Sequence, residues 1–135
     1  MTKSLQSIVF DFDGVIADSE PLHFRAFQQT LAEENIDLSV ADYYSHYLGY
    51  DDVGLLQALA ANRGIKMNGS RIVALVARKG QRLQTMLHGD NVLFPGAVDF
   101  IRSAAAEVPI AIASGALKQE IADITEAAGI RNLFT

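Results

Sequence analysis

Two short apolar runs constrain this chain more than any other feature of it. Ser7-Ile8-Val9-Phe10 ends at Asp11, and Pro109-Ile110-Ala111-Ile112-Ala113 ends at Ser114-Gly115. Neither run alternates polar with apolar residues, which is how a strand buried on both faces of a parallel sheet reads. Helical patterns lie between them, so the expected class is α/β with a parallel sheet. The intervening stretch is far too long for one crossover helix. Residues 17–90 therefore read as a second domain hung between the first strand and the rest, and residues 1–16 with 91–135 as the sheet-bearing part.

The insert reads as helical throughout. Ser19 is placed to cap a first helix, with Glu20 and Pro21 in a first turn that tolerates both. That helix runs to about Glu34, with Phe24, Phe27 and Leu31 on one stripe. A second covers Val40–Tyr47. A third, near Asp52–Asn62, carries Leu56 and Leu59 and stops at Gly64, a natural C′ residue. A fourth opens with Ser70 as N-cap and ends before Gly89. Asp90–Phe94 reads as a loop, and a helix follows Pro95-Gly96 to about Ala106. After the second strand comes an amphipathic helix with Ile121, Ile124 and Ala128, stopping at Gly129. Asn132-Leu133-Phe134 reads as the start of another strand.

Composition excludes several function classes. Half of the 135 residues are hydrophobic and a fifth are charged, which excludes intrinsic disorder. A net charge of −5 with no basic run gives no electrostatic case for nucleic acid or an anionic membrane surface. With no cysteine there is no disulfide, no thiolate catalysis and no Cys-ligated metal, which fits a reducing cytoplasm. The apolar patch at Leu5 to Phe10 is cut off by Asp11 and Asp13, far short of a signal-peptide core.

Asp11-Phe12-Asp13-Gly14-Val15 is the stretch richest in chemistry. Two carboxylates two residues apart at the carboxyl end of a strand project into the crevice where open α/β sheets bind ligands. Phe12 then turns the other way, into the core, and Gly14 lets the chain turn sharply. Such a pair can hold a hard cation through oxygen, or divide nucleophilic and acid–base roles. A solvated loop with two acids is the plain alternative. The apolar strand before the pair and the glycine after it weigh against that alternative.

In this setting the chain resembles the haloacid dehalogenase-like hydrolases. The likeness is nearest to the branch with a helical cap that includes β-phosphoglucomutase and phosphoglycolate phosphatase. It rests on the first motif, on Asp18-Ser19-Glu20 opening the insert, on Phe94-Pro95-Gly96, and on Ile112-Ala113-Ser114-Gly115, in that order along nearly the whole chain. The resemblance implies a Rossmann-like parallel-sheet core, incomplete here, with an inserted four-helix cap. It implies that Asp11 is the nucleophile that becomes an aspartyl phosphate, and that Asp13 protonates the leaving oxygen and then activates water. It implies a magnesium ion held by the Asp11 carboxylate and the Asp13 main-chain carbonyl. A carboxylate attacking a phosphate dianion faces charge repulsion, so a cation and hydrogen-bond donors are needed to neutralise the site.

Ser114 matches the family's second motif, whose hydroxyl bonds the transferring phosphoryl group, and Gly115 and Ala116 would add backbone N–H groups there. An ordinary N-cap for a helix from Leu117 would use the same serine. Lys79 falls on the apolar stripe of Ile72, Val76, Leu83 and Met86, and Gly80 beside it weakens the helix. A lysine snorkelling at the rim is one reading. The resemblance offers another, a cap lysine that reaches toward the substrate. It likewise places His23 where relatives carry a histidine that positions the acid–base group, although a helix-surface histidine fits the residue too. His46 and His88 have no metal-ligand spacing, and Arg78 and Arg82 read as a solvated face.

Two departures qualify the resemblance. Mutase relatives hold a second phosphate with an arginine after a cap glycine, whereas Leu48-Gly49-Tyr50 is followed here by Asp51 and Asp52. That argues for plain hydrolysis over a phosphomutase. The family's later lysine and acidic pair do not occur in this chain, and Lys118 is too early to be that lysine. The expected function is thus a magnesium-dependent phosphatase for a small phosphorylated metabolite, with this chain a truncated, weakly active or inactive piece. The alternative is a non-catalytic module that binds phosphate, metal or a partner. Hinges are expected near Ala17 and Asn91.

Overall fold

β-Branched residues favour pleated backbone, and the two apolar runs use it. In the structure, a computed structural model that describes residues 2–89 and 91–135, Ile8–Phe10 forms β1 and Ile110–Ile112 forms β2. They pair in parallel, Ile8 with Ile110, Val9 with Ala111 and Phe10 with Ile112. The Ala113 N–H donates to the Phe10 carbonyl at 2.9 Å, so both strands end at the same edge.

One expectation about β1 is overturned. Its apolar run reads as covered on both faces, yet Val9 is 63 % exposed. Successive side chains alternate faces, and the packed face is that of Phe10, whose ring meets Phe100 and Phe134 edge-on. The third strand expected at Asn132-Leu133-Phe134 is a second correction. Arg131–Leu133 forms a 3₁₀ turn, and only Phe134 bridges to Ile110 in parallel, with the Thr135 N–H donating to the Ile110 carbonyl at 2.9 Å.

Six helices accompany the strands among the described residues. α1 covers Glu20–Ala32, ending two residues before the expected Glu34, and Asn35 follows at φ 59°. α2 covers Val40–Asp42 and runs on as a five-residue π turn, Tyr43–Tyr47. α3 spans Asp52–Arg63 and stops where Gly64 takes φ 65°, a conformation that favours glycine. α4 spans Gly69–Gly89, α5 Ala97–Glu107 and α6 Lys118–Ala127. The cap of α4 is Asn68, whose side-chain oxygen accepts the Arg71 N–H at 2.8 Å, and not Ser70 as its sequence suggests. Ser39 and Asp51 cap α2 and α3 in the same way.

The chain divides into two compact units, Met1–Glu20 with Leu87–Thr135, and Pro21–Met86. The first buries Phe12, Ile16, Ile101, Ile110 and Ile130. The second is built around one apolar cluster in which Phe24, Phe27 and Leu31 of α1 join Leu55, Leu56 and Leu59 of α3 and Ile72 and Leu75 of α4. Asp90, which closes the expected insert, lies outside the described residues. No helix among the described residues is long and apolar enough to cross a membrane.

Candidate active site

Past Phe10 the chain wraps around one buried residue. Phe12 is 1 % exposed, and its carbonyl accepts the N–H groups of Val15, Ile16 and Ala17 at 3.2, 2.9 and 3.0 Å. Gly14 stands at φ 77° and donates its N–H to the Ala17 carbonyl at 2.8 Å. With Phe12 and Ile16 packed inward, Asp11 and Asp13 are left exposed on either side of the anchor. The turn is tied down further along. The Asp18 N–H donates to the Val92 carbonyl at 2.6 Å, and the Phe94 N–H to that of Ile16 at 3.0 Å.

The two carboxylates have different surroundings. Asp11 Oδ1 accepts the N–H of Phe12 at 2.7 Å. Asp13 Oδ1 accepts the hydroxyl of Ser19 at 2.6 Å, and Ser19 is buried. The bond is short, and it fixes how Asp13 points. By sequence Ser19 reads as a helix cap; its bond to Asp13 makes it part of the site. Nothing local in Asp18-Ser19-Glu20 announces this, because the partner is set by how the turn closes.

At the end of β2, Ser114 is half-buried and its Oγ accepts the Ala116 N–H at 3.1 Å. α6 begins only at Lys118, with Leu117 in the cap position and no side-chain bond there. Ser114 therefore shapes the turn rather than capping α6, which corrects the N-cap alternative. The parallel register sets this turn and Asp11 at the same edge of the sheet. Gly115 is exposed, with open space where a side chain would begin.

The donor set suits a hard cation. No group of three His, Asp or Glu residues gathers among the described residues, so no all-protein cage exists there. Magnesium does not need one, because it binds through one or two carboxylates and fills its shell with water and substrate phosphate. Asp11 and Asp13, exposed and offering oxygen only, fit that pattern.

A second cluster lies in the Pro21–Met86 unit. Lys79 does not snorkel at a rim, since it is 1 % exposed. Its Nζ lies 2.9 and 3.1 Å from the two carboxylate oxygens of Asp52, 2.8 Å from His23 Nδ1, and 4.6 Å from the centre of the Phe27 ring. The structure thus brings Lys79 and His23 together, and adds Asp52, which the sequence presents only as a charge unsuited to a second phosphate. Asp51 is occupied as the α3 cap. Arg78 and Arg82, a solvated face by sequence, are engaged as well. Arg78 bonds Glu33 and Glu34 at 2.9 and 2.6 Å, and Arg82 pairs with Glu33 and bonds Thr30. The Arg78 hydrogen bond holds the Glu34 carboxyl below the ordinary carboxylate value, with the Arg78 and Arg71 charges adding to it against an opposing desolvation effect.

The chain's sequence matches the haloacid dehalogenase-like hydrolase family over residues 5–135. The chain belongs to that family. Protein CbbY of Rhodobacter capsulatus is 29 % identical to it over 114 residues, which is 82 % of this chain and 50 % of that protein. The chain thus spans about half the length of the curated relative it matches. Among solved structures, CbbY of Rhodobacter sphaeroides in complex with xylulose-(1,5)bisphosphate superposes with a TM-score of 0.79 at 22 % identity, over 97 % of this chain and 61 % of that one. A predicted phosphoglycolate phosphatase from Haemophilus somnus reaches 0.82 at 18 % identity, over 96 % and 60 %. These likenesses show a haloacid dehalogenase-like fold, in which Asp11, Asp13 and Ser19 share one turn.

Proposed function

We propose that this haloacid dehalogenase-like chain carries the chemistry of a magnesium-dependent phosphatase acting on a small phosphorylated metabolite. The observation that supports it most is the pair of exposed carboxylates flanking buried Phe12 at the end of β1, one of them oriented by Ser19. An Asp11 oxygen attacks phosphorus and the bond to the ester oxygen breaks, while Asp13 gives that oxygen a proton. Water then attacks the phosphorus of the aspartyl phosphate, Asp13 takes its proton, and the Asp11–phosphorus bond breaks to release phosphate. The turn of Ser114 and Gly115 offers a hydroxyl and a backbone N–H for the phosphoryl oxygens. Magnesium, when held by Asp11 and Asp13, offsets the negative charge of nucleophile and phosphate.

The Rhodobacter sphaeroides relative was solved with a sugar bisphosphate, which supports a phosphorylated sugar or a similar small acid as substrate class. Hydrolysis is proposed over transfer between two phosphate positions. Asp51, Asp52 and Lys79 together sum to one negative charge, so they offer no surplus cation for a second phosphate. The test is magnesium-dependent release of phosphate from a panel of sugar phosphates and short phosphorylated acids, with Asp11→Asn as the comparison. Whatever turnover there is should need magnesium and vanish in Asp11→Asn, because an amide cannot attack phosphorus as a carboxylate does. Wild-type turnover in Asp11→Asn overturns the assignment. Magnesium-dependent binding of beryllium trifluoride as an aspartyl-phosphate-like adduct would support the enzyme, and binding of neither magnesium nor beryllium trifluoride would leave a helical interaction domain.

A further inference from the structure

We infer that Asp52 is a positioning residue that acts through the Lys79 ammonium to hold His23 as its neutral, Nε2-protonated tautomer. Lys79 lies on α4 between the buried Leu75 and Leu83 and is itself 1 % exposed. A buried ammonium must place all three of its protons on acceptors. Among the described residues three acceptors surround it. Two are the carboxylate oxygens of Asp52 at 2.9 and 3.1 Å, and the third is His23 Nδ1 at 2.8 Å.

An ammonium has no lone pair, so in its contact with Lys79 the histidine nitrogen accepts. Nδ1 therefore carries no proton, and the ring's one proton sits on Nε2. The Phe27 face, 4.6 Å from Nζ, adds attraction for the charge but no hydrogen-bond acceptor of comparable strength. The Asp52 and His23 contacts engage the three Lys79 protons among the described residues. Asp52 supplies the charge that keeps the ammonium in place. Without it the reason for Nδ1 to accept is removed.

Any part His23 plays in hydrolysis rests on the phosphatase reading; the tautomer does not. The test is nitrogen-detected NMR of the full chain with ¹⁵N-labelled histidine at neutral pH and without substrate, the His23 signals being those lost in His23→Gln. The expected wild-type pattern is an unprotonated Nδ1 and a protonated Nε2. Asp52→Asn should lose that preference and Asp52→Glu should restore it. A protonated Nδ1 in the wild type overturns the inference, as does an unchanged pattern in folded Asp52→Asn. Should Asp52→Asn not fold, Lys79→Met decides, since it removes the charge that needs a counter-ion. Loss of the tautomer preference in that variant supports the inference and its retention refutes it. Magnesium-dependent hydrolysis that survives in Asp11→Asn would sink the phosphatase assignment alone and leave the tautomer standing.

Discussion

The Lys79–Asp52 pair is a case where removing either partner has unequal consequences. Lys79 is 1 % exposed and the Asp52 side chain 36 %. Stripping one partner from a fully buried pair costs roughly 3–5 kcal/mol, because the other charge is left uncompensated. Asp52 is partly in water, so about 2 kcal/mol is expected for Asp52→Ala after discounting for solvent. Lys79→Met removes the buried charge itself and fills its space with an apolar chain of similar length. Its cost should stay within about 1 kcal/mol, since an apolar replacement often matches a buried ion pair. Urea denaturation of both variants measures the asymmetry, and equal losses would show that the pair is held by something other than its charges.

Helix ends and helix pairing give the predictions at the scale of elements. Asn68 and Ser70 both have the chemistry of a cap, and they stand two residues apart at the start of α4. The structure gives the bond to Asn68, so Asn68→Ala should cost about 1 kcal/mol. Ser70→Ala lies inside the helix and should change stability by less than about 0.5 kcal/mol. The reverse order in thermal or urea melts would move the helix start. Just after α1, Glu34 joins α4 through Arg78 and Arg71. Its carboxyl is held below the ordinary 4.5, chiefly by the Arg78 hydrogen bond. A depressed folded-state value means the contribution is fully present above about 4.5 and is lost as pH falls through the lowered value. The stability lead of wild type over Glu34→Gln should therefore be seen at neutral pH and fade on acidification below the usual carboxylate range. A lead that grows on acidification would contradict the sign.

For the whole molecule, order should be uneven. The Pro21–Met86 unit holds a continuous apolar cluster drawn from α1, α3 and α4. β1 and β2 are three residues each, and Val9 leaves one face of that pair open to water. Two short strands are marginal on their own, and local opening follows the density of buried apolar contact. Native-state hydrogen exchange should find the amides of Leu56, Leu59 and Leu75 slower than those of Ala111 and Ile112. Slower exchange in the strands would mean that the sheet is covered by more than its contacts show.

The sequence by itself determined the features whose physics is local. Both strands, the helix stripes, the Gly64 stop and the turn at Asp13-Gly14 rest on side-chain periodicity and backbone sterics over a few residues. The two carboxylates at the end of β1 are legible for the same reason, since alternation alone turns Phe12 inward and its neighbours out. Tertiary structure decided everything that depends on a distant partner. Lys79 has the sequence setting of a snorkelling lysine because its acceptors lie 56 and 27 residues away along the chain. Ser19 has the setting of a helix cap because only closure of the turn brings it to Asp13. Phe134 makes a single bridge where a strand is expected, and Val9 is exposed where burial is expected. Periodicity states which face a side chain takes, and only packing decides what, if anything, covers that face.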